Sequence, residues 1–345
     1  MEYVDRLTDG ERSKIITENA VQSTVHFQKW IEKMFNLFKY DDILEGFHVS
    51  DFFYRIEFQA RGAPHIHTLL WLTDANGKAA PSFWSTSDMD NSNLPEDLKE
   101  MLATNLNSTV SNSDKPREDL EQRKREISNL AESLIFGSVD DAKCKKHKDL
   151  NLDASCLDCQ LIKERVELFN THGCTFSCKK KKKTLCIREN EGHGRLDGKI
   201  LGESILDILC RYNFPQNPID ETLFMLGIPK DIPEDELAER KKDYRKIRKF
   251  LLRQTHDKTS DAWRKLKDMS FNEFLVEVGM LEEDKNFEQC TLDEFKMAKQ
   301  RYLNALSVSI KGNGAIFIRR EPKDIFTNNF NPNLMLIHES TSSLD

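Results

Sequence analysis

The chain has 345 residues, 38% hydrophobic and 32% charged, with a formal net charge of −7 at pH 7. That length supports one large or two ordinary domains, and the acidic balance excludes a protein that coats nucleic acid with its whole surface, leaving only local basic patches for such contact. No stretch approaches the roughly 18 uncharged apolar residues of a membrane span. Met1-Glu-Tyr-Val-Asp-Arg6 lacks the apolar core of a signal peptide, so an intracellular protein without membrane contact is expected.

Residues 10–40 carry apolar side chains at spacings of three and four, among them Ile15, Val21, Val25, Trp30, Ile31, Met34, Phe35 and Phe38, which predicts a helix. Two strands follow at about 47–59 and 65–73, the second ending at the Asp74-Ala-Asn-Gly77 turn. Residues 75–118 are loop-rich, with a short helix at Glu96–Leu106 and a linker at Asn107–Pro116, and a polar helix spans Arg117–Leu134. A basic, cysteine-rich insert runs from Cys144 to Cys186. Residues 201–280 read as helical at Leu201–Leu209, Pro233–Gln254, Asp261–Lys267 and Phe271–Val278. A helix at Leu292–Ser307, a strand at Ala315–Arg319 and an Asn-rich stretch complete the chain. The expected class is α+β: an antiparallel sheet with flanking helices, a zinc-binding insert and a helical region, divided as 1–140, 141–215 and 216–345.

His65 and His67 lie two residues apart on the second strand, so a side-chain period of two sends both to one face. Glu57 and Gln59 share a face of the preceding strand, and a turn around Arg61-Gly62-Ala63-Pro64 can fold them back beside the imidazoles. Two imidazoles with a carboxylate or amide oxygen make an open-sided site for Mg²⁺ or Mn²⁺, able to grip a phosphate. Glu57 is the first choice as third ligand because its charge offsets the cation's; Gln59 stays open as the other. Arg61 either holds a neighbouring phosphate or stabilises the turn.

The run Glu57-Phe-Gln-Ala-Arg-Gly-Ala-Pro-His65-Ile-His67-Thr-Leu-Leu-Trp-Leu72 closely resembles the Rep endonuclease domain of Helitron rolling-circle transposons, members of the His-hydrophobe-His endonucleases. The resemblance extends to Cys210-Arg-Tyr-Asn-Phe-Pro215 and to Arg319-Arg-Glu-Pro through Asn328-Asn-Phe-Asn-Pro-Asn-Leu334, covering about residues 10 to 335 in the same order. It implies a metal-dependent enzyme that nicks and joins single-stranded DNA in the nucleus.

Within the insert, Cys156-Leu-Asp-Cys159 has the gap that lets two sulfurs of a tight turn reach one Zn²⁺. His172, Cys174 and Cys178 follow after a helix-like segment at Leu161–Phe169. The favoured zinc set is Cys156, Cys159, Cys174 and Cys178, with His172 as the first replacement and Cys144, His147, Cys186 and Cys210 as outside candidates. The adjoining Lys179, Lys180, Lys181, Lys182 and Lys183 form a basic run that is either a DNA contact or a solvated face.

The family cuts with a Tyr-x-x-x-Tyr helix beyond its Asn-Pro-x-Leu segment, where this chain reads Ile337-His-Glu-Ser-Thr-Ser-Ser-Leu-Asp345. The family's first strand would also precede residue 1. A truncated domain is therefore expected, with Tyr302 (or Tyr244) the only tolerable substitute nucleophile, or with a second chain supplying the missing Rep or helicase parts. Gly194-Arg-Leu-Asp-Gly198-Lys199-Ile200 is one residue short of a phosphate loop, and Ile stands where Ser or Thr must reach the metal, so no ATPase is expected. The competing expectation is a catalytically inactive, zinc-stabilised nucleic-acid-binding protein in which the histidines are a relic; hydrolysis with water as nucleophile is a third.

Overall fold

The apolar spacing of residues 10–40 folds into two helices rather than one, α1 (Asp9–Glu18) and α2 (Ala20–Tyr40). Between them the Asn19 side-chain amide donates to the Ile15 carbonyl at 3.0 Å, sharing that acceptor with the helical bond from the Asn19 N–H, a local bond of the kind that competes with regular helix. The structure is a computed structural model describing residues 9–40, 43–58, 64–81, 116–144, 147, 156–173, 178, 210, 212–229, 231–255, 257–281, 290–311 and 314–340. Predicted elements at Glu96–Leu106 and Leu201–Leu209 lie outside these residues, as do Gln59, Arg61, Cys174 and Lys179 to Lys183. The chain divides into two compact units, Met1–Ser82 and Phe83–Asp345. Among the described residues no helix is long and apolar enough to cross a membrane.

In the first unit, β1 (Phe47–Phe58) and β2 (Pro64–Asp74) pair antiparallel, with an irregularity between Val49 and Asp51 where the Ser50 hydroxyl donates to the Trp71 carbonyl. The hairpin alternates as its period demands. Phe52, Tyr54, Ile56, Ile66 and Leu70 share the face that packs on α2, where Phe35 stacks on Phe52 and Tyr54 with ring centroids 4.1 and 5.3 Å away. α2 buries Ile31, Phe35 and Phe38, spaced four and three apart, in the same core. The opposite hairpin face carries Phe53, Arg55, Glu57, His65, His67, Leu69 and Trp71.

The second unit is built on α3 (Pro116–Leu134), α4 (Leu157–Arg165), a π-helical turn (Val166–Asn170), β3 (Leu223–Leu226), α5 (Glu234–Leu251), α6 (Asp261–Lys267), α7 (Phe271–Glu277), α8 (Leu292–Ser307), β4 (Gly314–Phe317) and α9 (Pro332–Ser340). Helices α7 and α8 start where the sequence supplies reciprocal capping boxes, Ser270 with Glu273 and Thr291 with Glu294. Their apolar faces meet α5 in a core holding Tyr244, Ile247, Leu251, Phe274, Leu275, Ala305 and Leu306. A bidentate pair from Arg301 to the buried Asp243 ties α8 to α5.

The architecture is α+β, with two two-stranded antiparallel sheets among the described residues. Two expectations change. The helix read as part of the hairpin's domain, α3, belongs to the second unit: Ile127, Ala131 and Leu134 are buried, and the Ser128 hydroxyl accepts the Phe224 N–H of β3. The cysteine-rich region is not separate from the C-terminal part either. The end of its π-helical turn and the residues just after it bond to residues 326–328, with the His172 N–H donating to the Phe326 carbonyl at 2.7 Å and the Asn328 N–H to the Asn170 carbonyl at 2.8 Å.

Candidate metal centres

Glu57 stands directly across the hairpin from His65, and Arg55 across from His67. The pairing brings three ligand atoms together. His65 Nε2 lies 3.1 Å from His67 Nε2, and Glu57 Oε2 lies 3.6 and 3.4 Å from the two nitrogens. Ligand atoms held about 2.1 Å from a common ion sit about 3.0 Å apart at octahedral right angles and about 3.4 Å apart in a tetrahedron. The observed triangle fits one divalent ion. The other carboxylate oxygen, Oε1, is ion-paired with Arg55 Nε at 3.2 Å, which leaves Oε2 to the imidazoles. Side-chain exposures of 34% for His65, 64% for His67 and 37% for Glu57 leave the triangle open on one side to an incoming ligand. His65 Nδ1 is buried and has no hydrogen-bond partner among the described residues.

Beyond the triangle, the same face exposes Phe53, Leu69 and Trp71 at 59, 61 and 51%. Exposed aromatic and aliphatic side chains in a row beside a cation site form a platform for flat, apolar groups.

Among the described residues, five cysteines fall into two groups where the spacing suggests one, and Cys290 joins neither. Cys144, Cys156 and Cys159 bring their sulfurs within 4.8 Å of one another, and His147 Nδ1 lies 3.4 Å from Cys159 Sγ. Separately, His172 Nε2, Cys178 Sγ and Cys210 Sγ lie within 4.8 Å of one another. The favoured pairing of Cys156 and Cys159 with Cys178 is therefore replaced: α4 carries the first two beside the 144–147 turn, whereas Cys178 packs with Cys210 in the core around α5 and α8. None of the described cysteines forms a disulfide. Cys144, His147 and Cys210 rank only as outside candidates by sequence. The signal that finds the first two is a Cys-x-x-His eight residues before the Cys-x-x-Cys.

Burial pushes the Cys144 thiol up to about 12, while the Cys159 backbone N–H, donating to the Cys156 sulfur, lowers the Cys156 thiol. Both groups combine cysteine sulfurs with an imidazole, a soft donor set that, with the thiols deprotonated on binding, suits zinc and disfavours magnesium.

Tyr302 is not placed to attack anything. It is fully buried on α8, its hydroxyl donates to the Pro218 carbonyl at 2.7 Å, and the Phe271 and Phe274 rings meet it edge-on. Burial raises its phenol well above the usual tyrosine range. Tyr244 is buried in the same core. Tyr54, in the first unit, alternates to the hairpin face away from the imidazoles.

No protein-family model matches this chain, and no curated protein or solved structure matches it.

Proposed function

We propose that the chain is a Helitron-derived, Rep-like domain that binds single-stranded DNA in the nucleus. In this reading Glu57, His65 and His67 hold Mg²⁺ or Mn²⁺ against a phosphodiester. The observation that carries it is the convergence of Glu57 Oε2, His65 Nε2 and His67 Nε2 on one point, in a hairpin whose residues 57–72 resemble the family's run. A divalent ion so held polarises a phosphoryl oxygen. The chain's own residues do the rest. Arg55 orients the carboxylate, the paired strands fix the spacing of the imidazoles, and Phe53, Leu69 and Trp71 offer unstacked bases an apolar bed beside the ion. Lys179 to Lys183 would add phosphate contacts, and zinc would occupy the thiolate groups of the second unit.

Strand transfer in this family needs a tyrosine nucleophile. The burial of Tyr302 and Tyr244 and the orientation of Tyr54 remove three described tyrosines from that role. Another tyrosine or a second chain would then have to supply it. The same observation favours the alternative, a zinc-stabilised nucleic-acid-binding protein without strand cleavage.

Titration with Mn²⁺ tests the metal centre: saturable binding that is lost in the His65→Ala/His67→Ala variant is expected, and no binding to the parent chain would overturn it. Salt-sensitive binding of a single-stranded oligonucleotide, weakened when Lys179 to Lys183 are replaced by serine, is the corresponding test for DNA. A labelled oligonucleotide should form no covalent protein adduct with the chain alone.

A further inference from the structure

We infer that the second unit binds two zinc ions, one held by Cys144, His147, Cys156 and Cys159 and another by His172, Cys178 and Cys210. The inference rests on the zinc assignment just proposed and is independent of the hairpin centre.

The first set has the makings of a closed tetrahedral site. Cys144 Sγ is 3.4 Å from Cys156 Sγ, and His147 Nδ1 is 3.4 Å from Cys159 Sγ. Sulfurs about 2.3 Å from one zinc lie about 3.8 Å apart, so little movement is needed to admit the ion. Backbone N–H groups point at the sulfurs, from Cys144 to Cys159 Sγ and from His147 to Cys144 Sγ, both at 3.3 Å. Amide donors aimed at sulfur stabilise thiolate rather than thiol. Ordinary buried cysteines, acting as small apolar side chains, have no need of a ring of amides and an imidazole nitrogen directed at sulfur.

The second set repeats these features with different elements. His172 Nε2 lies 3.3 Å from Cys210 Sγ, and the Tyr212 N–H donates to that same sulfur at 3.4 Å. The His172 ring is stacked on Phe214 with centroids 4.2 Å apart and an interplanar angle of 13°, which fixes the direction of its nitrogen. Cys178 and Cys210 are 6 and 3% exposed, so their sulfurs are poorly placed to be solvated as free thiolates.

Two ions rather than one follow from where the groups pack. Cys144 and Cys156 belong to a small cluster with Ile162, Val166 and Phe330, whereas Cys178 and Cys210 belong to the large core with Phe214, Tyr244 and Tyr302. The first ion would pin α4 to the turn before it. The second would clasp residue 172 to residue 210 across 38 positions of sequence, joining the insert to the C-terminal core.

The test is the zinc content of the full-length His65→Ala/His67→Ala variant, in which the hairpin cannot contribute an ion. Two zinc ions per chain are expected. One per chain would overturn this inference while leaving zinc itself in place, and none would remove the zinc assignment altogether. X-ray absorption at the zinc edge of the same protein reads the ligands without a cysteine variant that has to fold. A mean shell of two to three sulfurs with nitrogen present is expected; four sulfurs and no nitrogen would overturn the proposed sets.

Discussion

Arg55 grips Glu57 from the side away from the histidines, Nε to Oε1 at 3.2 Å, so the carboxylate is shared between a guanidinium and the two imidazoles. The two partners contribute unequally to the site. Arg55 is 72% exposed, and an ion pair so open to water is worth little. Glu57 is the only charged ligand of the triangle. Glu57→Gln is expected to weaken Mn²⁺ binding at least about tenfold, whereas Arg55→Met should change it by less than about threefold, both measured by calorimetric titration. Equal losses in the two variants would mean that the carboxylate does not contact the ion.

Tyr302→Phe separates packing from chemistry. The substitution leaves the buried Pro218 carbonyl without its donor, at a cost of about 1–2 kcal/mol in unfolding free energy. Mn²⁺ affinity and oligonucleotide binding should not change. A selective loss of DNA processing with stability intact would restore this tyrosine as a nucleophile.

Asp324 makes part of the stability pH-dependent. Its carboxyl is 7% exposed, and burial raises it to about 6. The folded chain therefore holds this proton more tightly than the unfolded one, and between about pH 4 and 6 stability falls as pH rises. One carboxylate oxygen, Oδ2, is buried without a hydrogen-bond partner among the described residues. Asp324→Asn removes the buried charge and keeps an acceptor for Ser138. The variant should exceed the parent in stability at pH 8, by on the order of 1–3 kcal/mol, and the gain should vanish near pH 4. Denaturant unfolding at the two pH values measures it.

Arg320 is a buried hub, 4% exposed, donating to the carbonyls of Gly137, Asp324 and Thr327 and to Asn329 Oδ1. A lysine ammonium cannot span that fork, so Arg320→Lys should cost about 2–4 kcal/mol. A methyl group at Gly137 would stand 2.7 Å from the Arg319 carbonyl and 3.0 Å from the Arg320 guanidinium. Gly137→Ala is accordingly expected to destabilise by about 1–3 kcal/mol. Both values are read from denaturant midpoints.

The hairpin was legible because its information is local. Alternation over residues 47–58 and 64–74 sets both the pairing and the face on which His65 and His67 emerge. Helices with capping boxes or strong periodicity were equally legible, and Asp261–Lys267 and Leu292–Ser307 match residue for residue. The short strand Leu223–Leu226 escaped because four apolar residues take their identity from a partner more than eighty residues away, Gly314–Phe317. α9 escaped because Asn-rich sequence around Pro332 reads as loop, although Asn331 starts it by accepting the Leu334 N–H. The division of the cysteines was hidden for the same reason as β3. Spacing restricts which ligands are neighbours along the chain and says nothing of Cys210, brought to His172 by the tertiary fold.

All three atoms of the hairpin triangle come from eleven consecutive positions, Glu57 to His67. Two-stranded ribbons are marginal in water on their own, and a cation that demands Glu57 opposite His65 would select this alignment over its neighbours. A slip of one residue would rotate both imidazoles onto the side packed against Phe35 and dismantle the chelate. Coordination and strand alignment would thus proofread each other, and mis-threaded copies of the ribbon would reveal themselves by failing to retain the ion.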